Sequence, residues 1–412
     1  MSWRRLAAVI VALGMVAGVT PTAQAKHRII KSPVIVQFDA WATPKSPQAA
    51  AINIVISKFE KDYKYIKVVF TPLSGNVEQE LEQAIISGNT VTPPDVFEVD
   101  AGWMSDFASP GYLQREDVYA KTQKSFDPAD FYESLRGAFR YKGVQYVYPT
   151  GFTTLGLYYN KPLLGAAGYK SAPRSAKAFA AAACKLTNDT THVYGASLSP
   201  DAYHWFPFVP GFGGRVLNKS QTAAAIESKH TVNALQWYAG LIARSCAEVP
   251  PAGSSDIEEF AGSHAAMTIE PSTSVPELKQ LAPHLSWGVV PLPKGPKGES
   301  DITDAVGFAM NAASPVKTAS WKLIHFLDGA HSMATIDSAT GYLPARASVK
   351  PSKAVSAFVR ADSNAFTWAW PPGLVVNAFP HIDNDIQSAS AGQMTYSNAV
   401  IDMQSWLKAY LP

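Results

Sequence analysis

Residues 34–100 read VIVQFDAWATPKSPQAAAINIVISKFEKDYKYIKVVFTPLSGNVEQELEQAIISGNTVTPPDVFEVD. Val34 to Phe38 reads as a buried strand. Ser46-Pro47 then supplies an N-cap and a proline at the first helical position. Ile52, Val55, Ile56 and Phe59 follow at i, i+3, i+4 and i+7, the apolar stripe of a helix. Ile66 to Phe70 is the next strand. Val77, Leu81, Ala84 and Ile85 make a second stripe, with Gly88 where a helix C-cap belongs. Asp95 to Val99 is a third strand. Strand, helix, strand, helix, strand is the pattern of an α/β domain with a largely parallel sheet.

Working outward, the rest of the chain keeps this alternation. Asp127-Pro128 opens a helix carrying Phe131 and Leu135. Val144 to Pro149 and Thr154 to Tyr159 are strand-like, with a bend at Thr150-Gly151. Helices fall near 176–185 and 231–244, and strands at Ala266 to Ile269 and Trp287 to Val290. Pro291 to Gly295 is a rigid turn. Ser314-Pro315 caps a helix bearing Trp321, Ile324 and Leu327, and a last helix carries Val400, Met403 and Leu407. The sequence holds no internal repeat.

At the other end, Arg4-Arg5, an apolar run from Leu6 to Val19 and the exit Ala23-Gln24-Ala25 follow the order of a secretory leader cut after Ala25. A leader at 1–25 sets the expectation of a periplasmic location. No cysteine stands at or just after that cut to carry a lipid. The leader holds two of the 35 basic residues and no acid, which leaves 33 bases against 33 acids. A balanced chain has no electrostatic reason to seek nucleic acid or an anionic membrane. Cys184 and Cys246 form a disulfide in an oxidising compartment, or else stand as two buried thiols. There is no C-x-x-C, G-x-S-x-G, H-E-x-x-H or clustered Cys/His pattern, so no metal, cofactor or nucleophilic catalysis is expected. Glu258-Glu259 and Asp301/Asp304 are the carboxylates a secreted glycosidase would draw on.

Five segments in order resemble the maltose-binding type of bacterial extracellular solute-binding proteins, family 1. They are Pro94 to Asp100, Tyr146 to Pro149 running on through Leu155 to Lys161, Phe260 to Met267, Gly288 to Gly295, and Gly341 to Arg346. The resemblance implies a type II periplasmic-binding-protein fold: two α/β lobes, about three crossing strands as a hinge, and a ligand cleft between. Residues 26–150 plus about 306–345 would form the N-lobe, and about 151–305 plus about 346–412 the C-lobe. It further implies a monomer that captures a sugar or oligosaccharide and hands it to an ABC permease. A glycerophosphate or other anionic solute is the alternative.

A sugar needs aromatic plates and hydrogen-bonding groups in a cleft. Asp39 and Trp41 end the first strand, and Asp100 and Trp103 end the third, where α/β sheets place ligands. Phe152 and Thr153 lie in the crossover, where backbone hinge geometry is the competing role. Trp205, Gly213 and Gly214 resemble a loop reaching the ligand from the second lobe; the glycines also suit a plain turn. Glu270 and Ser272 follow a strand, and Trp368 and Trp370 precede a double proline, with core packing as the alternative. Arg346 either pairs with an anionic ligand or fixes a loop.

Overall fold

Val36 and Phe38 alternate with more exposed neighbours along the Val34–Trp41 strand and are fully buried, which fixes one face of the first sheet against a core. The computed structural model describes residues 32–75, 77–87, 92–188, 190–360 and 365–411. The expected leader at 1–25 and the C-cap at Gly88 lie outside the described residues.

Strand Val34–Trp41 runs parallel to Ile66–Leu73 on one side and to Val96–Asp100 on the other. The helix between the first two, Pro47–Asp62, starts as its sequence dictates: Ser46 Oγ accepts from the Ala49 N–H, Pro47 stands in the first turn, and Ile52, Val55, Ile56 and Phe59 are buried. The parallel pattern stops at Val96–Asp100. Its other neighbour is the long strand Asp301–Asn311, which runs antiparallel, and beyond that lies Pro149–Thr153, also antiparallel to it. The sheet is therefore mixed, because a segment far along the chain threads back through its middle.

The second sheet is smaller. Leu155–Asn160 pairs antiparallel with Met267–Pro271 and Trp287–Val290, while Ala196–Ser197 lies parallel to Ala247–Glu248 and to Met267–Pro271. The polypeptide passes from first sheet to second at Thr154. The expected bend at Thr150-Gly151 is corrected: both residues lie inside the Pro149–Thr153 strand. Glycine serves a close approach there, since a Cβ on Gly151 would fall 2.9 Å from Tyr342 Cβ. The segment opened by Asp127 is also shorter than expected. Asp127 caps a single 3₁₀ turn at Pro128–Asp130, and a separate helix, Glu133–Ala138, carries Leu135.

Two hydrophobic cores back the two sheets. One gathers Phe38, Phe59, Phe97, Phe107, Ile324 and Leu327. The other gathers Phe179, Trp205, Leu235, Tyr238, Ile382 and Met403, under helices Ala176–Leu186, Lys229–Ala243, Phe379–Ser390 and Tyr396–Tyr410. Cys184, on the first of these helices, is joined to Cys246, with Cα atoms 4.3 Å apart. Among the described residues no helix is long and apolar enough to cross a membrane.

Candidate ligand cleft

Parallel strands bring Trp41 and Asp100 to one edge of the first sheet, because both are the last residues of their strands. Glu98 holds Trp41 there: its Oε2 accepts the Trp41 N–H at 2.8 Å. Asp304 comes from the antiparallel strand. Val306 pairs with Asp100, so Asp304, two residues along, shares the face on which the Asp100 side chain stands. The two carboxyls hydrogen-bond to one another. Burial and the adjacent Asp304 charge push Asp100 well above the usual carboxylate range, so Asp100 holds the proton and Asp304 accepts.

An aromatic frame closes around this pair. The Trp368 N–H is tied to the Thr303 carbonyl at 2.8 Å, beside Asp304. Its indole lies against Gly102, where an added Cβ would come within 2.9 Å of Trp368 Cδ1 and 2.8 Å of Asp100 Oδ1. Tyr203 sits edge-on to Trp368, with ring centroids 5.3 Å apart, and hydrogen-bonds to Asp304. These groups line a cavity of about 490 Å³ together with Trp41, Gln48, Trp103 and Thr153. Thr273, Ser274, Glu277, Thr340 and Tyr342 complete its lining. The lining carries three acids, Asp100, Glu277 and Asp304, and no Lys, Arg or His. Trp41 is 39% exposed while Trp103 and Trp368 are each 7% exposed, so the first is a rim residue and the others are wall.

The floor is tied by Ser272. Its N–H donates to Thr153 Oγ1 at 2.9 Å, and its hydroxyl donates to the Gly341 carbonyl at 2.8 Å. Gly341 has φ +80° and ends helix Ala330–Thr340 in the left-handed conformation that glycine favours. This turns the chain so that Tyr342 reaches the cavity.

The structure thus brings Trp41, Asp100, Trp103, Thr153 and Trp368 to one cavity and leaves the other expected site residues elsewhere. Asp39 lies inside its strand, hydrogen-bonded to Thr71, with burial raising its pKa to about 6. Phe152 is buried, edge-on to Tyr132. Trp205 is fully buried in the second core. Gly213, at φ +96°, ends helix Phe208–Phe212 as its cap. Gly214 makes room for Thr231, whose Oγ1 would stand 2.5 Å from an added Cβ. Trp370 packs on Phe206, Trp368 and Phe379. Glu270 accepts from Ser274 Oγ at 2.6 Å behind the lining, and Ser272 supports rather than lines the cavity. Gln48, Tyr203, Thr273, Ser274, Glu277, Thr340 and Tyr342 do not stand out in the sequence, and Asp304 does so only as a glycosidase carboxylate. Tyr203 adjoins a loop that carries the family resemblance, and Tyr342 lies within the Gly341 to Arg346 segment, so both carried a signal.

Arg346 fixes a loop. Its Nη1 lies 2.9 Å from Asp130 Oδ2, its Nε donates to the Asp328 carbonyl at 2.7 Å, and its guanidinium stands 4.0 Å from the Phe131 ring centre.

Among the described residues one group could hold a metal ion: His204, Asp256 and Glu270 offer ligand atoms all within 4.8 Å of one another. His204 Nδ1 is 2.8 and 3.0 Å from the two Asp201 carboxylate oxygens. Burial would lower the His204 pKa, but the Asp201 charge and hydrogen bond outweigh it and bring it to about 10. An imidazolium there offsets the carboxylates that surround it.

The model of the family described as bacterial extracellular solute-binding protein matches residues 41–331. A binding protein of Brucella abortus is 25% identical over 314 residues, which is 73% of each chain. The structure of an ABC substrate-binding protein from Listeria monocytogenes in complex with cycloalternan superposes with a TM-score of 0.82 at 21% identity, covering 92% of this chain and 99% of that one. The GacH receptor of Streptomyces glaucescens, solved unliganded and with acarbose, gives 0.79 at 23% identity over 92% and 98%. These likenesses fix the fold as the two-lobe one of periplasmic binding proteins, and the matched proteins are binders rather than enzymes.

Proposed function

We propose that this chain, which belongs to the bacterial extracellular solute-binding proteins, captures a sugar or oligosaccharide in the cleft around Trp41, Trp103 and Trp368 and delivers it to an ABC permease. The observation that carries the reading is the lining itself. Three tryptophans offer flat apolar faces, and carboxylates, hydroxyls and the Gln48 amide alternate with them. Stacked C–H faces and hydroxyl hydrogen bonds are what a sugar presents. The N-lobe and C-lobe boundaries expected from sequence put the crossover at the cleft floor, where a hinge closing on ligand would act. Export to the periplasm by the leader at 1–25 and a monomeric state complete the proposal.

Two alternatives lose ground on specific residues. An anionic ligand such as glycerophosphate would meet three acids and no cation in the lining, and Arg346, which suggested it, is occupied by Asp130. A glycosidase needs its two carboxyls about 5 to 10 Å apart; of the carboxylates Glu258, Glu259, Asp301 and Asp304 only Asp304 lines the cavity, and its neighbour there, Asp100, is in hydrogen-bond contact with it.

Thermal shifts of the mature protein against mono-, di- and trisaccharides, polyols and glycerophosphates test the reading. A ligand at 100-fold excess over Kd stabilises by about 2.7 kcal/mol. A hit among the sugars supports the proposal; hits among phosphate esters alone would overturn it.

A further inference from the structure

The acids of the cleft have hydrogen-bond donors, among them the Gly102 N–H to Asp100 Oδ1 at 2.6 Å, but no cation in the lining answers their charge. Asp100 and Asp304 face each other. Around Asp100 stand Glu98 on its own strand, Glu78 from helix Val77–Ser87, Tyr203 from the short helix Ala202–Trp205, and Tyr342 after helix Ala330–Thr340. Each is an acid or a phenol, and none is a base. One oxygen of Asp304, Oδ1, is buried without a hydrogen-bond partner. The pair is enclosed by a closed circuit of contacts: Trp368 on Gly102, Gly102 on Asp100, Asp100 on Asp304, Asp304 on Tyr203, and Tyr203 on Trp368.

A neutral hydroxyl could donate to Asp304, yet the negative charge would remain in a wall of low polarity. A cation removes the charge as well as filling the acceptor, and at short range inside a protein that difference is large. Aromatic faces add to it, since indole and phenol rings attract ammonium groups within about 6 Å. The Trp368 indole and the Asp100 carboxyl both lie against Gly102, and the rings of Trp41, Trp103 and Tyr203 stand in the same lining.

We infer that the ligand is an amino sugar or other basic glycoside whose protonated amine docks between Asp100 and Asp304 under Trp368. This rests on the sugar-binding reading and narrows it. The exchange balances in protons: the ammonium enters, the proton shared by the two carboxyls leaves to solvent, and both carboxylates then face one cation.

The test is isothermal titration of the full mature chain at pH 6.5 with matched pairs: cellobiose against the chitosan disaccharide, and trehalose against trehalosamine. The members of each pair differ chiefly in amine for hydroxyl. The expected result is an amine form bound at least tenfold tighter in one pair. Its enthalpy should vary with buffer ionisation heat by about one released proton, while the neutral partner shows no such dependence. Asp304→Asn should collapse the amine-to-neutral ratio towards one, and the proton release on wild-type protein decides the same question should that variant fail to fold. Neutral sugars bound as tightly as their amines would overturn this inference and leave the sugar reading standing. Binding of neither member of any pair, in a protein shown to be folded, would overturn this inference, while the sugar reading falls only if the wider panel of mono-, di- and trisaccharides also gives no hit.

Discussion

The Arg346 knot and the Asp100–Asp304 pair are both buried places where charge has been taken out of water, and they are handled in opposite ways. The Arg346 guanidinium is answered from within the fold: a carboxylate, a carbonyl and an aromatic face meet it, although the nearby Asp328 carboxyl stays buried with neither oxygen hydrogen-bonded. Around Asp304 the charge is left facing a cavity, with a second carboxyl for a neighbour and no cation in the lining. Burying charge costs free energy unless it is paired. The difference is access: the guanidinium is closed in by the fold, whereas Asp100 and Asp304 line a cavity that a ligand can enter.

The contrast can be broken most forcefully at the satisfied site. Arg346→Leu leaves Asp130 held by Ser348 alone and the Asp328 carbonyl without its donor, and should lower stability by about 2 kcal/mol, read by urea or thermal unfolding, with ligand affinity little changed. A large loss of affinity with stability intact would move Arg346 to the ligand. Next comes pH. Burial raises Glu98 to about 7 and Glu78 to about 8, so the folded protein binds protons that the unfolded chain has released above about pH 4. His204 is raised to about 10 from an unfolded value near 6.5, and its contribution is likewise lost as pH rises through that range. Both signs agree, so stability should fall between pH 6.5 and 8. The slope is about 1.4 kcal/mol per pH unit for each proton, giving roughly 2 kcal/mol for one proton over that interval. A flat melting profile would mean that Glu98, Glu78 and His204 titrate alike in the folded and unfolded chain.

Smaller effects sharpen the picture of the open site. Trp41→Ala removes a rim plate that is 39% exposed, and should weaken ligand about tenfold while stability stays within about 0.5 kcal/mol. Gly102→Ala should be mildest. Its new Cβ presses on Trp368 and Asp100, costing about 1 kcal/mol of stability and shifting the Trp368 plate. Unchanged affinity in that variant would show that Trp368 is not tuned by Gly102.

Most of the first sheet was legible because its elements are local. The stripe Ile52, Val55, Ile56 and Phe59 and the cap at Ser46 specify their helix without help from distant residues. Trp41, Asp100 and Trp103 were legible for the same reason, as strand ends in a pattern that predicts where loops converge. What sequence missed came from afar. Asp304 belongs to an antiparallel strand whose place in the sheet depends on long-range pairing with Val96–Asp100 and Pro149–Thr153. Gly151 looked like a turn and proved to be a point of contact with Tyr342. Trp205 looked available and is core, while Tyr203, two residues before it, reaches the cavity; helical residues two apart point to nearly opposite sides, about 200° round the axis, and one sequence cannot say which of two aromatics faces in.

The Ser272 tie has a mechanical consequence. It binds the crossover at Thr153, the end of strand Met267–Pro271 and the turn at Gly341 into one joint. A joint pinned at its pivot turns without sliding, so any motion of one sheet against the other works as a lever with its fulcrum at the cleft floor. Thr153 near the fulcrum would barely move, while Trp41 out at the rim would sweep the longest arc.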